Sequence, residues 1–208
     1  MGNYYLIRHG TTAWVDQQLL HGITDIPLND RGRHQAQLAA QVLKDVPAKK
    51  LYTSSLSRCV ETAQIIGKSL HLTPIPMEPL VEADFGWMEG KKIRDHDNGQ
   101  YSKWVERYDH FIMHLIRMIS GESDHAFRKR VVNAWKSILR ENPGGITMVV
   151  AHSAVLNAIV SHHFGSQYLE GDSYYRVQPA SITEISINDS GEAQLVRLND
   201  HRHMEEFK

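Results

Sequence analysis

The 208-residue sequence predicts an α/β fold: a three-layer αβα sandwich whose mostly parallel central sheet ends in an antiparallel C-terminal edge. Short apolar runs alternate with amphipathic helical segments, which is typical of a parallel sheet covered on both faces. Near the C-terminus, two alternating segments flank the turn-forming residues 189–191, a pattern that predicts a hairpin. The length predicts one domain that spans residues 1–208.

Two predicted strands and the helix between them open the chain. Residues 4–7 form an apolar and aromatic run typical of a buried strand, and residues 51–53 form a shorter one. Between them, Asn29 or Asp30 suits a helix cap, and apolar residues at helical spacing, Val42 among them, continue to about Lys44.

The middle of the chain combines a second helix with irregular segments. Ser54 or Ser55 is expected to cap this helix, and Ile75, which lies between two prolines, favours a short or edge strand. Residues 80–92 contain carboxylates and glycines without a period and are interpreted as a functional loop. Residues 101–118 are aromatic and methionine-rich with a helical period, so we expect a lid-like helical insertion around 93–121.

The last third of the chain contains a helix, a buried strand, a second helix and the hairpin. The first helix is marked by four apolar residues at helical spacing: Phe127, Val131, Trp135 and Ile138. Residues 146–151 are expected to form the strand and residues 155–160 to lie in the buried helix. Alternation at 183–187 and 196–198 predicts the hairpin strands, and the polar C-terminal residues are expected to fray.

Composition excludes several classes of partner. A net charge of −1 gives no electrostatic reason to expect nucleic acid or an anionic membrane, and no apolar stretch is long enough to span a bilayer. The single cysteine, Cys59, excludes an internal disulfide and fits a cytoplasmic location. The 13 histidines do not cluster at metal-ligand spacings, so we expect neither a metal nor a cofactor. The oligomeric state stays open, a homodimer included.

Histidines and arginines follow the predicted strands where those strands end. Arg8 and His9 follow the first strand, His152 follows the strand at 146–151, and Arg58 lies early in a helix that follows another strand. The carboxyl ends of parallel strands meet at one edge of the sheet, so these side chains are expected to converge on one pocket. Two guanidiniums suit a phosphate dianion, and neutral histidine is a competent nucleophile. Glu82 is the candidate proton donor for a leaving oxygen.

Each of these assignments has a plainer alternative. Arg58 alone would more often lie on a helix surface, and His152 could be a buried histidine that bonds to the backbone. Asp84 and Glu89 lie in the same loop as Glu82 and compete with it as the acid. The convergence of several such residues favours the functional interpretation.

Five ordered motifs in this chain resemble those of the histidine phosphatase superfamily, also called phosphoglycerate mutase-like. They lie at residues 6–10 (LIRHG), 21–36 (beginning HGITD), 54–63 (SSLSRCVETA), 82–90 (EADFGWMEG) and around His152. By this resemblance the fold is phosphoglycerate mutase-like, His9 is the phosphorylated nucleophile, Glu82 is the general acid and His152 is the second catalytic histidine. Arg8 and Arg58 would bind the phosphate.

The resemblance extends the phosphate-binding residues to Thr12, Gly22 and Ser153. Two positions depart from the family pattern: Val15 stands where asparagine is common, and Ser153 replaces a usual glycine. The missing asparagine is expected to weaken phosphate binding by at most about 1.5–3 kcal/mol. A hydroxyl donor remains at Thr12, and Ser153 offers its backbone N–H at a helix start.

The resemblance implies a metal-independent phosphomonoester hydrolase that acts on a phosphorylated small molecule, with a sequence around the acid similar to that of α-ribazole phosphatases. A phosphoglycerate mutase, which returns the phosphoryl group to a second hydroxyl, is the closest alternative. A non-catalytic phosphate- or phosphoprotein-binding module is the alternative from another class, although such a module would be expected to lack His9 or Glu82.

Overall fold

The computed structural model describes residues 1–92, 121–165 and 177–207 of the chain. Its centre is a sheet of six strands: β1 (Gly2–Arg8), β2 (Lys50–Thr53), β3 (Ile75–Pro76), β4 (Gly145–Ala151), β5 (Ile182–Ile187) and β6 (Ala193–Asp200). The order is β3-β2-β4-β1-β5-β6. The first four of these are parallel, whereas β5 and β6 are antiparallel to their neighbours. The predicted sheet with its antiparallel C-terminal edge is confirmed.

Helices cover both faces of this sheet. Among the described residues, α1 (Ala13–Asp16) is a one-turn helix without buried residues. One face of the sheet is covered by α2 (Asp30–Leu43) and α3 (Ser57–Leu70), and the other by α4 (Asp124–Glu141) and α5 (Ser153–Phe164). Short 3₁₀ turns lie at Glu78–Leu80, Gly86–Met88 and Arg202–Phe207. The last of these runs into the segment that was expected to fray, where Met204, partly buried, packs against the hydrophobic core beside α2 and α3.

The core lies in two layers because neighbouring strand residues point to opposite faces. In β1, Tyr4 and Leu6 pack against α4 and α5, where the edge of the Tyr4 ring meets Trp135 at a centroid distance of 5.1 Å. Tyr5 and Ile7 pack on the other face with α2 and α3. A strand that is buried on both faces has few polar positions, so β1 becomes polar only where it leaves the sheet.

Two local expectations about the helices were wrong. Val42 is exposed, so the apolar stripe of α2 does not include it. Neither Ser54 nor Ser55 caps α3, which begins at Ser57. Asp25, from a distant loop, accepts the Ser57 backbone N–H at 2.9 Å and replaces a local cap. Sequence spacing cannot reveal a cap that comes from another part of the chain.

Other local predictions were confirmed. Asn29 is the cap of α2, because its side chain accepts the Gly32 N–H at 2.8 Å. Ile75 lies in the two-residue edge strand β3, and Cys59 is a small buried residue of the core. The hairpin turn is present, with Gly191 at a φ of +85° that favours glycine.

The lid-like insertion expected at 93–121 lies outside the described residues except for its last position. The single-domain assignment stays a prediction. None of the helices within the described ranges has the length and apolar character needed to cross a membrane.

Candidate active site

His9 immediately follows β1 and is almost fully buried, with 2% of its surface exposed. Its backbone N–H donates to the Ala151 carbonyl at 3.0 Å, which joins it to the end of β4. Nδ1 lies 2.7 Å from the Gly10 carbonyl oxygen, and only a protonated nitrogen can bond to a carbonyl there. The lone pair of the neutral ring therefore lies on Nε2, the nitrogen that can act as a nucleophile.

His152 follows β4 and faces His9 across the pocket, with ring centroids 5.2 Å apart. Arg58 donates from Nε to Nδ1 of His152 at 3.3 Å, which makes Nδ1 an acceptor. Nε2 of His152 then carries the proton and donates to the Ser54 hydroxyl oxygen at 2.8 Å. The ring is neutral, and its orientation is fixed at both nitrogens.

Arg58 is fully buried beneath the pocket. Its two terminal nitrogens donate to the carbonyl oxygens of Thr24 at 3.0 Å and Gly22 at 2.8 Å. Each terminal nitrogen carries a second N–H, and this pair suits two oxygens of one phosphoryl group. A planar guanidinium held at three nitrogens is a fixed anion donor.

The loop that carries those carbonyls is held by Glu89. The Glu89 carboxylate accepts backbone N–H groups from Ile23 at 3.0 Å, Thr24 at 2.8 Å and Phe85 at 3.1 Å. It also accepts the Thr24 hydroxyl. A side chain at Gly22 would place Cβ 1.9 Å from Oε1 of Glu89, so this close approach requires glycine.

Glu82 is buried beside the start of α5. One carboxyl oxygen accepts the Ala83 N–H at 3.0 Å, and the other accepts the Ala154 N–H at 3.2 Å. Ala154 lies in the first turn of α5, directly after His152 and Ser153, so the carboxyl group is drawn to the strand end that carries the second histidine. Burial raises the pKa of Glu82, while the two backbone bonds and then Arg58 and Arg8 oppose the rise.

Arg8 lies half-buried at the last position of β1. Its guanidinium donates to the Val177 carbonyl, and its backbone N–H donates to the Ser181 carbonyl at 3.3 Å. The Ala180 N–H is shared between the carbonyls of Arg8 and His9, at 3.1 and 3.2 Å. The segment that enters β5 therefore locks the end of β1.

Thr12 caps the one-turn helix α1 and accepts the Val15 N–H at 3.2 Å. Its hydroxyl lies 2.6 Å from Nε2 of His21, whose Nδ1 lies 3.1 Å from the Leu19 carbonyl. Because the carbonyl requires a proton on Nδ1, Nε2 of His21 accepts the Thr12 hydroxyl hydrogen. Thr12 thus reaches the pocket with its donor directed at His21.

The structure therefore brings together Arg8, His9, Arg58, Glu82 and His152, as the sequence predicts. Ser153, half-buried, opens α5, where first-turn N–H groups lack partners within the helix. Gly22 contributes its carbonyl oxygen to Arg58. Within the described ranges, no group of three histidine, cysteine or carboxylate side chains has the geometry of a metal site.

Three further site residues were missed from the sequence: Ser54, His21 and Glu89. Ser54 had been interpreted as a helix cap and Glu89 as a rival acid, but each bonds across the fold instead. His21 lies in a motif that the sequence analysis singled out, with its ring centroid 6.5 Å from that of His9. The adjacent Gly22 was the available signal.

The pocket keeps its histidines neutral. Burial, and then Arg58, holds the pKa of His9 and of His152 well below the usual value. Burial, and then Arg58 and Arg8, lowers the pKa of His21 to about 3. Positive charge concentrated in a buried pocket favours an anionic ligand and disfavours histidine protonation.

We expect the free energy of unfolding to decrease as the pH falls from about 6.5, where histidines of the unfolded chain begin to bind protons. Folded-state pKa values below that of the unfolded chain make the stabilisation complete above this pH and progressively smaller below it. The loss is about 1.4 kcal/mol per pH unit for each neutral buried histidine.

Urea unfolding at pH 7 and pH 5 measures this dependence. His21→Gln should make it shallower, whereas His125→Gln, at an exposed position of α4, should not. Equal pH dependence in wild type and His21→Gln would contradict the prediction.

The fold and site together define an α/β protein with a buried histidine pair and two arginines at the edge of the sheet where its parallel strands end. The histidine phosphatase superfamily (branch 1) matches residues 4–201, and the chain belongs to this family. The resemblance drawn from the five motifs is confirmed.

Relatives within the family carry two kinds of name. The chain is 31% identical over 160 residues to the uncharacterised phosphatase PhoE of Bacillus subtilis. The matched residues make up 77% of this chain and 76% of that protein. It is also 31% identical over 185 residues to the 2,3-bisphosphoglycerate-dependent phosphoglycerate mutase of Thermoplasma acidophilum. That match covers 88% of this chain and 86% of the mutase.

Solved structures agree with the fold over almost its whole length. YhfR of Bacillus stearothermophilus has a TM-score of 0.81 and 26% identity, and the match covers 98% of this chain and 100% of that one. The α-ribazole phosphatase of Shigella flexneri has a TM-score of 0.77 and 28% identity, with 96% of each chain covered.

Proposed function

We propose that the protein is a metal-independent phosphomonoester hydrolase that works through a phosphohistidine on His9. The observation that carries this proposal is the orientation of the buried His9 ring, whose Nδ1–H bond to Gly10 leaves the lone pair on Nε2. Because burial, and then Arg58, His152 and Arg8, lowers its pKa, His9 stays neutral and nucleophilic.

In the first step, Nε2 of His9 attacks phosphorus and the bond from phosphorus to the ester oxygen breaks. Glu82 donates its proton to that oxygen, and an alcohol leaves. In the second step, water attacks phosphorus and the bond to His9 breaks. Glu82, now a carboxylate, accepts the proton of the water, and inorganic phosphate leaves.

The positively charged groups account for stabilisation of the transferring group. Arg58 and Arg8 hold its oxygens in the proposal, and the Ser153 N–H adds a helix-terminal donor. His152 is neutral and its Nε2–H donates to Ser54, so it binds a phosphoryl oxygen only if that bond exchanges on binding. Gly22 takes part through its carbonyl bond to Arg58. Thr12, whose hydroxyl already donates to His21, acts on the phosphate only if that bond exchanges on binding.

Glu82 is favoured as the acid over the other carboxylates of the loop. Asp84 accepts the Gly86 N–H at 2.7 Å, and Glu89 accepts three backbone N–H groups. Glu82 combines burial, a raised pKa and contact with α5 beside His152. A raised pKa is what a carboxyl group needs in order to carry a proton near neutral pH.

A phosphoglycerate mutase is the second candidate, because the Thermoplasma relative carries that name. The two reactions share the step that forms phosphohistidine and differ in the acceptor, which is water in one case and a second hydroxyl in the other.

Hydrolysis of p-nitrophenyl phosphate in the presence of EDTA tests the proposal. Turnover that survives the chelator and requires His9 supports a metal-independent histidine phosphatase. Conversion of 3-phosphoglycerate that is stimulated by 2,3-bisphosphoglycerate, without release of phosphate, would assign the mutase. Phosphate binding with neither reaction would assign the binding module.

We expect kcat/KM to decrease on the alkaline side as Glu82 loses its proton. Because its folded-state pKa is raised, the protonated acid persists to a higher pH than an ordinary glutamate allows. Glu82→Gln should lower kcat/KM for an alkyl phosphate by about 10²–10⁴-fold and remove the alkaline limb that belongs to the enzyme.

Asp84→Asn, in the same loop, provides the control and should retain the wild-type profile. Ionisation of the substrate also changes kcat/KM with pH. This change is the same for wild type, Glu82→Gln and Asp84→Asn, so it cancels when their pH profiles are compared. An alkaline limb that is unchanged in Glu82→Gln would reject Glu82 as the acid.

A further inference from the structure

Arg130, on α4, contacts the backbone of the segment that carries the proposed acid. One terminal nitrogen donates to the carbonyl oxygens of Pro79 at 2.9 Å and Val81 at 2.7 Å. The other lies 3.3 Å from the carbonyl oxygen of Glu82 itself. One guanidinium thus binds three carbonyls within four residues.

A carboxylate fixes the orientation of that guanidinium. One carboxylate oxygen of Glu122 accepts a hydrogen bond from Nε of Arg130 at 2.9 Å. The other accepts a hydrogen bond from a terminal nitrogen of Arg130 at 2.5 Å. This is the bidentate geometry in which an arginine–carboxylate pair has one preferred arrangement. Both side chains are mostly buried, with 25% and 18% exposed, so water screens the pair less than it screens a surface pair.

The segment that carries Glu122 also contacts the loop directly. The Glu122 backbone N–H donates to the Asp84 carbonyl at 2.9 Å. A Cβ at Gly121 would lie 2.4 Å from that same carbonyl oxygen, so the two backbones are in close contact. Residues on both sides of Glu82 are therefore held by residues 121–130.

We propose that Arg130, oriented by Glu122, is a positioning residue that sets the distance between the Glu82 carboxyl group and the leaving oxygen. It acts through the backbone of Glu82 and touches no reacting atom. This inference rests on the proposed function, in which Glu82 is the general acid. A positioned acid requires its backbone to be fixed, because an error of about 1 Å in placement can reduce a rate by about 10²-fold.

A role in stability alone predicts a different result from a positioning role. Loss of stability lowers the amount of active enzyme and reduces turnover of every ester by the same factor. Displacement of the acid reduces kcat/KM mainly for esters with poor leaving groups, because those alcohols need a proton when the bond breaks. The dependence of kcat/KM on the basicity of the leaving group therefore separates the two roles.

The experiment measures kcat/KM for a series of esters from p-nitrophenyl phosphate through phenyl phosphate to an alkyl phosphate. It compares wild type with Arg130→Lys, Glu122→Gln and the reference variant Glu82→Gln. A lysine offers one ammonium group and cannot reproduce the five directed N–H donors. Arg128→Lys is the matched control, two residues away on α4 and paired with Asp124 at the surface.

We expect Arg130→Lys to lose about 10–100-fold in kcat/KM for the alkyl phosphate and less than about threefold for p-nitrophenyl phosphate. Glu122→Gln should change the leaving-group dependence in the same direction, and it provides the test if Arg130→Lys does not fold. The control should match wild type throughout.

Uniform loss across the series, or no loss, would overturn the positioning role. If Glu82→Gln changes the leaving-group dependence but neither Arg130→Lys nor Glu122→Gln does, only the inference about Arg130 fails. If Glu82→Gln leaves the leaving-group dependence of kcat/KM unchanged, the assignment of Glu82 as the acid fails, and the inference about Arg130 fails with it.

Discussion

His9→Ala should lower kcat/KM by about four orders of magnitude or more, since removal of a catalytic nucleophile leaves only the binding and electrostatic contributions of the site. The loss should be similar for all phosphate esters, because in the proposed mechanism every ester transfers its phosphoryl group to His9. The fold should tolerate the change, since β1 is held by its neighbours β4 and β5 rather than by the His9 ring.

Rapid acid-free quenching with a ³²P-labelled ester gives a second measurement on the same variant. Wild type should retain label in an acid-labile, base-stable form, which is the behaviour of a phosphohistidine, and His9→Ala should retain none. His125→Ala, at an exposed histidine, serves as the matched control. Label or turnover that persists in His9→Ala would assign the nucleophile elsewhere.

Arg58→Lys should have a large effect on both stability and catalysis. Lysine keeps the charge but cannot donate to the carbonyls of Gly22 and Thr24 and to His152 at once. Each buried carbonyl left without its partner costs about 1–3 kcal/mol, so we expect the free energy of unfolding to fall by about 2–4 kcal/mol. Loss of a preorganised donor to the transition state should lower kcat by about 10²–10³-fold.

Urea unfolding and steady-state kinetics on the same preparation check both parts of this prediction. Arg33→Lys is the control, because Arg33 forms ion pairs with Asp30 and Glu61 at the surface, where such pairs contribute little. A variant that loses stability but keeps wild-type kcat would show that Arg58 supports the loop without acting on the phosphoryl group.

The fold was predictable because its determinants are local. Strand β1 is apolar until Arg8 and His9, and a strand with two buried faces can become polar only where it leaves the sheet. The same transition from apolar to polar residues at His152 places the second histidine at the end of β4. Two such transitions on parallel strands suffice to predict a shared pocket.

The supporting contacts were not predictable, because each joins parts of the chain that lie far apart. Ser54 binds a histidine 98 residues away, and Glu89 binds a loop about 66 residues away. Locally, Ser54 could equally cap the nearby helix and Glu89 could equally act as an acid. No feature of the neighbouring sequence indicates the distant partner that each one binds. The cap that Asp25 provides to α3 was missed for the same reason.

The proposed nucleophile, His9, follows β1, yet its backbone is locked by residues that precede β5, far along the chain. Arg8 bonds to Val177 across 169 residues, and Ala180 binds the carbonyls of Arg8 and His9. Sheets built from such distant pairings form slowly, commonly in roughly milliseconds to seconds. A nascent chain that has not yet emerged as far as β5 exposes His9 without the residues that hold it. The chain should therefore acquire the proposed chemistry only after β5 has joined β1, rather than when His9 itself is made.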